Sequence, residues 1–268
     1  MKNKTIQQIE DFVAGYQVKK DINTSWSVPL VRFADSADPL FKNLKTAVSS
    51  THADPQDLLA NARTVISFFL PFQKSINSSN TKERLSSPEW AVSYIETNEL
   101  IKELSLHLTE FFASASEEVV TIPATHNWDK EKLISNWSHR HVAFIAGLGR
   151  LGLNNMLITD KGCSGRVGSL ITSAVIEPDN RPATEACLYH YDGSCKKCVS
   201  KCVNEALFED SFDRFTCYDQ LLKNVEEHMS VGYADVCGKC LAAVPCSHTN
   251  PVTKKVRAKI SQSKPVSR

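Results

Sequence analysis

The cysteines constrain this chain more than any other feature. There are nine in 268 residues; none falls in the first 162 residues, and eight lie at or after Cys187. They run Cys187, seven residues, Cys195, two residues, Cys198, three residues, Cys202; then Cys217; then Cys237, two residues, Cys240, five residues, Cys246. A disulfide scaffold spreads its cysteines through a small secreted domain. Here they crowd into the last 82 residues, and the opening stretch MKNKTIQQIEDFVAGY lacks the apolar core of a secretory signal. The pattern predicts a cytoplasmic protein that uses its thiols for metal or redox chemistry.

Eight thiols are the number that two 4Fe–4S clusters need, four for each. A Cys-x-x-Cys turn delivers two thiolates, and neighbouring segments supply the rest. Cys202 and Cys246 each follow such a pair, as in two-cluster ferredoxins, where the last cysteine of a run ligates the other cluster. A zinc-ribbon-like site made from two Cys-x-x-Cys pairs is an alternative, but it leaves four cysteines unused. Plain reduced thiols are a third reading. The runs also depart from the ferredoxin pattern. Val203 and Ser247 stand where a proline usually follows the last ligand, and Asp192 stands where a cysteine is expected before Cys195, so Cys187 must replace it.

The rest of the composition is that of an ordinary soluble protein, 42% hydrophobic and 23% charged. A net charge of +1 implies no strong field for nucleic acid or membrane. No apolar run approaches the ~20 residues of a membrane helix.

Periodicity predicts a helix over 1–20, with Ile6, Ile9, Phe12 and Val13 on one face, and a strand over 27–33. A short helix follows at 54–62, opened by Asp54 and Pro55, and then the strand RTVISFFLPF. The polar run 74–87 reads as a loop, 87–115 as the longest helix, and 117–123 and 169–177 as strands. Pro178 and Pro182 mark a break. The expectation is an α+β protein in three parts: a mixed α/β domain over 1–180, a cysteine-rich module over 181–252 and a basic, disordered tail over 253–268.

The stretch IAGLGRLGLNN (145–155) places Gly147, Gly149 and Gly152 in G-x-G-x-x-G spacing. A dinucleotide site needs a helix directly after these glycines and an acid ending a strand about 20 residues on. RLGLNNMLITD is a candidate short helix. Glu177, however, lies 25 residues past Gly152, and three more glycines interrupt the interval. Six of the ten glycines fall in 147–168, so this backbone is shaped for close approach to something. Cys163, the odd thiol, lies among them, as a simple buried cysteine or a reactive one. His139 and His141 flank Arg140 as an acid, an anion clamp or a polar strand edge. Trp90 and Tyr94 are a core pair, with proton donation by Tyr94 the sharper alternative.

The order of these features resembles the epoxyqueuosine reductase family, corrinoid- and iron–sulfur-dependent relatives of the reductive dehalogenases. The family's A-G-L-G-x-x-G-x-x-x-x-L-I matches Ala146 to Ile158, and DPQDLLANARTVISFFLPF is similar to its helix, Ala-Arg, Val-Ile and Leu-Pro segment. The resemblance spans roughly 54–250 and lacks the family's C-terminal helical repeat. It implies that the front domain binds cobalamin, with Gly147, Leu148, Gly149, Arg150, Gly152 and Asn154 at the corrinoid. It implies that Cys187, Cys195, Cys198 and Cys246 hold one cluster of a ferredoxin-like module, and that Cys202, Cys217, Cys237 and Cys240 hold the other. It further implies a base-off cobalamin reduced through these clusters, a low-potential donor such as ferredoxin or flavodoxin, and a small-molecule substrate.

Four residues depart from the family. Thr121 and Ile122 stand where it carries a proton-donating acid, and Arg150 and Leu153 replace its residues after the glycines. These departures point away from epoxyqueuosine in tRNA as the substrate and leave the catalytic residues unassigned. The competing readings are a non-catalytic two-cluster carrier or activator serving a partner corrinoid protein, a zinc-stabilised binding module and a nicotinamide enzyme.

Overall fold

The central strand explains the architecture. Thr64–Pro71 is buried at all eight positions. Alternate side chains of a strand point to opposite faces, so a strand buried throughout must be covered on both. A computed structural model describes residues 1–19, 21–124 and 128–256. In chain order its elements are α1 (Lys2–Tyr16), β1 (Leu30–Asp35), α2 (Leu40–Ala47), α3 (Pro55–Leu58), β2 (Thr64–Pro71), α4 (Lys74–Ser79), α5 (Pro88–Ala113), β3 (Val119–Thr121), β4 (Trp128–Asp129), β5 (Ile134–Ser135), α6 (His139–Ile145), β6 (Gly149–Leu151), β7 (Leu157–Thr159) and β8 (Gly165–Thr172). The cysteine-rich part adds α7 (Leu188–Asp192), α8 (Lys197–Ser200), α9 (Arg214–Glu227) and a 3-10 turn at Lys239–Leu241. The fold is mixed α+β.

The main sheet has four strands in the order β1-β2-β8-β3, and every pairing is antiparallel. Ile66, Phe68 and Leu70 of β2 join Leu170 of β8 in one core with Leu100, Leu104 and Leu108 of α5 and Ile9 and Val13 of α1. Val65 and Ile171 face the other way, with Val142 and Ile145 of α6 and Phe41 and Leu44 of α2. The core on the α5 side continues past residue 180 and takes in Cys187, Cys198, Leu207, Leu241 and Val244.

α5 forms where the pattern predicts it. The Ser87 side chain accepts from the Trp90 N–H at 3.2 Å, Pro88 opens the helix, and Leu100, Leu104, Leu108 and Phe112 share its buried face. Three local readings change. The polar run at 74–87 begins with the helix α4, because its Asn77 and Asn80 are buried and hydrogen-bonded rather than solvated. His139–Ile145 is a helix and not a strand edge, since a short apolar run has no period of its own and tertiary packing selects one. The predicted helix at 54–62 is a single turn, its entry held by a reciprocal Asp54–Asp57 capping box.

No helix follows Gly147, Gly149 and Gly152. Residues 149–159 form the hairpin β6–β7 instead, which removes the dinucleotide reading. Among the described residues no helix is long and apolar enough to cross a membrane. Residues 251–256 are helical, and the remainder of the predicted tail, 257–268, lies outside the described residues.

Candidate functional site

The thiols gather in two groups. Cys187, Cys195, Cys198 and Cys246 line one small apolar cavity together with Leu153, Ile158 and Val244. Burial pushes the Cys198 thiol up to about 12, and Cys246, Cys187 and Cys195 raise it further by repelling its anion. The second neighbourhood is equally selective. Cys217 is pushed up to about 11 by burial and then by Cys237 and Cys202. Cys240 lies well above the ordinary thiol range through burial and through Cys237, Cys217 and Cys202, with Cys198 a weaker influence from the other group. Each group thus contains thiols that cannot all ionise unless a cation joins them. Among the described residues no three His, Cys, Asp or Glu side chains converge tightly enough for a single metal ion.

Asparagines pin the loop that carries Cys237 and Cys240. Asn80 Nδ2 donates to the Cys237 carbonyl at 2.8 Å, and Asn224 Nδ2 to the Val236 carbonyl at 2.7 Å. Asn154 Nδ2 donates to the Cys240 carbonyl at 3.2 Å, and Asn77 Nδ2 to the Leu241 carbonyl at 3.1 Å. Four side chains from three parts of the chain therefore satisfy the carbonyls of one short turn, which would otherwise be buried unpaired. Lys239, inside the same turn, is buried and donates to the carbonyls of Asn80 and Lys82 at 3.2 and 2.6 Å. Burial lowers its pKa, while Cys237 favours its charge. Gly238 has φ +70, and a Cβ there would meet the Trp90 ring at 2.2 Å. Sequence reasoning passed over Asn77, Asn80, Asn224 and Lys239. The one available signal was the i, i+3 spacing of Asn77 and Asn80 in a run that composition marks as loop.

A large cavity of about 620 Å³ lies beside the thiols. Trp137, Ser138, His139, Arg140 and His141 line one part of it, Leu151, Asn155, Met156 and Leu157 of the hairpin another, and Cys163, Gly165, Arg166 and Val167 a third. Cys163 connects it to the first thiol group. Its Sγ is 3.8 Å from Cys246 Sγ, and its N–H donates to the Cys246 carbonyl at 2.9 Å. The Cys163 S–H donates to Cys246, which lifts the Cys163 pKa and lowers that of Cys246. Arg140 connects the cavity to the second group. Burial lowers its pKa first and Arg214 lowers it further, while Cys217 and Cys240 oppose the shift.

Burial lowers the pKa of two histidines here, His52 and His141. The His52 ring sits between two backbone groups, Nδ1 at 2.9 Å from the Ala53 carbonyl and Nε2 accepting from the Ser138 N–H at 3.0 Å. Its pKa is lowered by burial. His141 Nδ1 lies 2.7 Å from Ser138 Oγ, and burial, then Arg140 and His52, lower its pKa to about 4. Both groups bind protons more readily unfolded, from about pH 6.5 downward. Their stabilising contribution is complete above that pH and is lost as pH falls toward about 4. Urea unfolding between pH 7.5 and 4 should show this decline, and His141→Asn should flatten it. His139 engages Ser169 Oγ at 2.8 Å and the Pro123 carbonyl at 3.0 Å. Tyr94 does not line the cavity; it bonds Asp235, and burial raises its pKa to about 12.

The glycine loop is placed differently from the large cavity. Gly147, Leu148, Gly149 and Arg150 line a second, smaller cavity of about 320 Å³, and Asn154 lines the thiol cavity. The close approach that the glycines permit is to the chain itself. A Cβ at Gly149 would lie 2.2 Å from the Ile158 carbonyl oxygen, one at Gly147 2.7 Å from the Asn180 carbonyl oxygen, and one at Gly152 2.8 Å from the Ile158 side chain. Arg150 pairs with Glu185 at 3.2 Å.

No protein-family model matches the sequence, and no curated protein matches it. Solved structures do. An epoxyqueuosine reductase from Streptococcus thermophilus superposes with a TM-score of 0.56 at 16% identity, covering 90% of this chain and 65% of that one. Epoxyqueuosine reductase from Bacillus subtilis gives 0.55 at 18% identity, over 90% and 66%. A reductive dehalogenase, from a structure that suggests a mechanism for B12-dependent dehalogenation, gives 0.56 at 14% identity, over 87% and 32%. The chain has the fold of the epoxyqueuosine reductases and the reductive dehalogenases. It spans about 65% of the length of the first of these.

Proposed function

We propose that this chain is an iron–sulfur- and corrinoid-dependent reductase acting on a small molecule. Cys187, Cys195, Cys198 and Cys246 would hold one 4Fe–4S cluster, and Cys202, Cys217, Cys237 and Cys240 the other. With a cobalamin bound, these groups would supply low-potential, single-electron reduction. A ferredoxin or flavodoxin is the donor such a path needs.

One observation carries the reading. Eight thiols fall into two neighbourhoods, and Cys163 and Arg140 link them to the same large cavity. Zinc fits this arrangement less well. One tetrahedral ion takes four thiolates at most, which leaves four of the eight unused. A cubane takes each thiolate on a different iron and suits a wider cage.

The chain's own residues do the rest. Trp137 and Leu157 wall the cavity with apolar surface and limit water. Arg140 presents a fixed positive charge between the cavity and the second thiol group. His141 is uncharged near neutrality and, with burial and Arg140 holding its pKa down at about 4, resists taking up a proton.

Cobalamin titrated into anaerobically purified protein is the test. Saturable binding with a base-off visible spectrum is expected. Absence of binding would sink the reading and favour the two-cluster carrier, whose clusters would exchange electrons with a partner corrinoid protein.

A further inference from the structure

The large cavity is lined by Arg140, Arg166 and Arg214 and by no Asp or Glu among the described residues. None of these arginines forms an ion pair with a described carboxylate. Arg140 donates to the Asn155 carbonyl, and Arg214 donates to the Lys132 carbonyl at 3.3 Å. Arg166 lies over the Tyr94 ring, 4.3 Å from its centroid, and its Nε is buried with no hydrogen-bond partner among the described residues. The charge of Arg140 also faces Cys217 and Cys240, so the cavity's unmatched charge rests mainly on Arg166 and Arg214.

Arginine does not deprotonate in proteins. Like charges around one partly desolvated chamber are costly, and a buried donor without an acceptor adds to the cost. Both costs fall when an anion enters. The guanidinium fork matches the paired oxygens of a carboxylate or phosphate. A volume of about 620 Å³ is that of a small-molecule site.

We propose that the chamber selects a small anionic substrate bearing a carboxylate or phosphate group, held by Arg166 and Arg214. This rests on the reading that the chamber is the reaction site. Arg150, which the glycine motif brings forward, is already paired with Glu185 and faces elsewhere.

Calorimetric titration of the anaerobically purified protein with inorganic pyrophosphate tests it. Saturable binding is expected, weakened about tenfold by Arg166→Gln and by Arg214→Gln. Arg63→Gln, at an exposed arginine outside the cavity, should leave it unchanged. Arg166→Lys keeps the charge but loses the fork, and should cost only about threefold. Cobalamin and cobinamide, which lacks the nucleotide phosphodiester, separate the sources of the anion. The glutamine variants should bind both as the parent does. A selective loss of cobalamin would assign the arginines to the cofactor's own phosphate and overturn the proposal. So would a parent that ignores pyrophosphate, or an equal loss in Arg63→Gln. If pyrophosphate binds with this arginine dependence while cobalamin does not bind, the corrinoid reading fails and the anion site stands.

Discussion

Replacing Cys198 with alanine is expected to halve the iron of the anaerobically purified protein, from about eight atoms per chain to about four. Cys198 is buried, shares a cavity with Cys187, Cys195 and Cys246, and feels all three electrostatically. Its removal leaves three thiols around a cage shaped for four. The second group keeps all its members, and its Asn77, Asn80 and Asn224 supports come from elsewhere in the chain. Acid-labile sulfide should fall in parallel, from about eight to about four. An unchanged iron content would remove Cys198 from the ligand set. One zinc per chain without sulfide, in parent and variant alike, would replace the clusters with a zinc site.

Gly162→Ala is expected to destabilise the protein by about 3 kcal/mol, which lowers the melting temperature by roughly 5 °C. Two costs combine. Gly162 has φ +81, and a Cβ there would lie 2.4 Å from the Ser247 carbonyl oxygen and 2.5 Å from the His248 nitrogen. The clash is with backbone, so no side chain can swing away. Relief requires 162–164 to part from 246–248, which are joined by Cys163 N–H to the Cys246 carbonyl at 2.9 Å and Ser164 N–H to the Ser247 carbonyl at 3.0 Å. This seam carries Cys246, so iron content should fall together with stability. Gly193→Ala separates the two costs. Its φ is +71, but nothing lies within 4 Å of a Cβ there, so only the backbone term of about 1 kcal/mol is expected. Thermal unfolding of the two variants checks the difference, and equal shifts would show that the seam is not rigid.

Much of the fold was legible where one physical signal dominated. α5 has a cap, a proline at its first turn and a sustained period of 3.6. β2 is a run of apolar and β-branched residues long enough for a fully buried strand. Misreadings arose where the deciding partner is distant in sequence. α4 looks like a solvated loop until its asparagines meet carbonyls more than 150 residues away. α6 has too few apolar residues to declare a period, and its packing on the sheet decides it. The glycine motif shows in the sequence only that backbone must come close to something, without showing to what. Its nearest backbone and side-chain neighbours are Ile158 and Asn180.

The sequence by itself determined the donor chemistry, because the number and spacing of thiols limit what they can bind. It also determined the helices and strands whose signal is local. Only the tertiary structure decided which thiols share a cavity, which arginines stand around the large chamber without a carboxylate, and which buried amides hold the cysteine turn. These depend on side chains that meet across long separations, and their pairing is set by burial and hydrogen-bond satisfaction in the folded core, which no local pattern records.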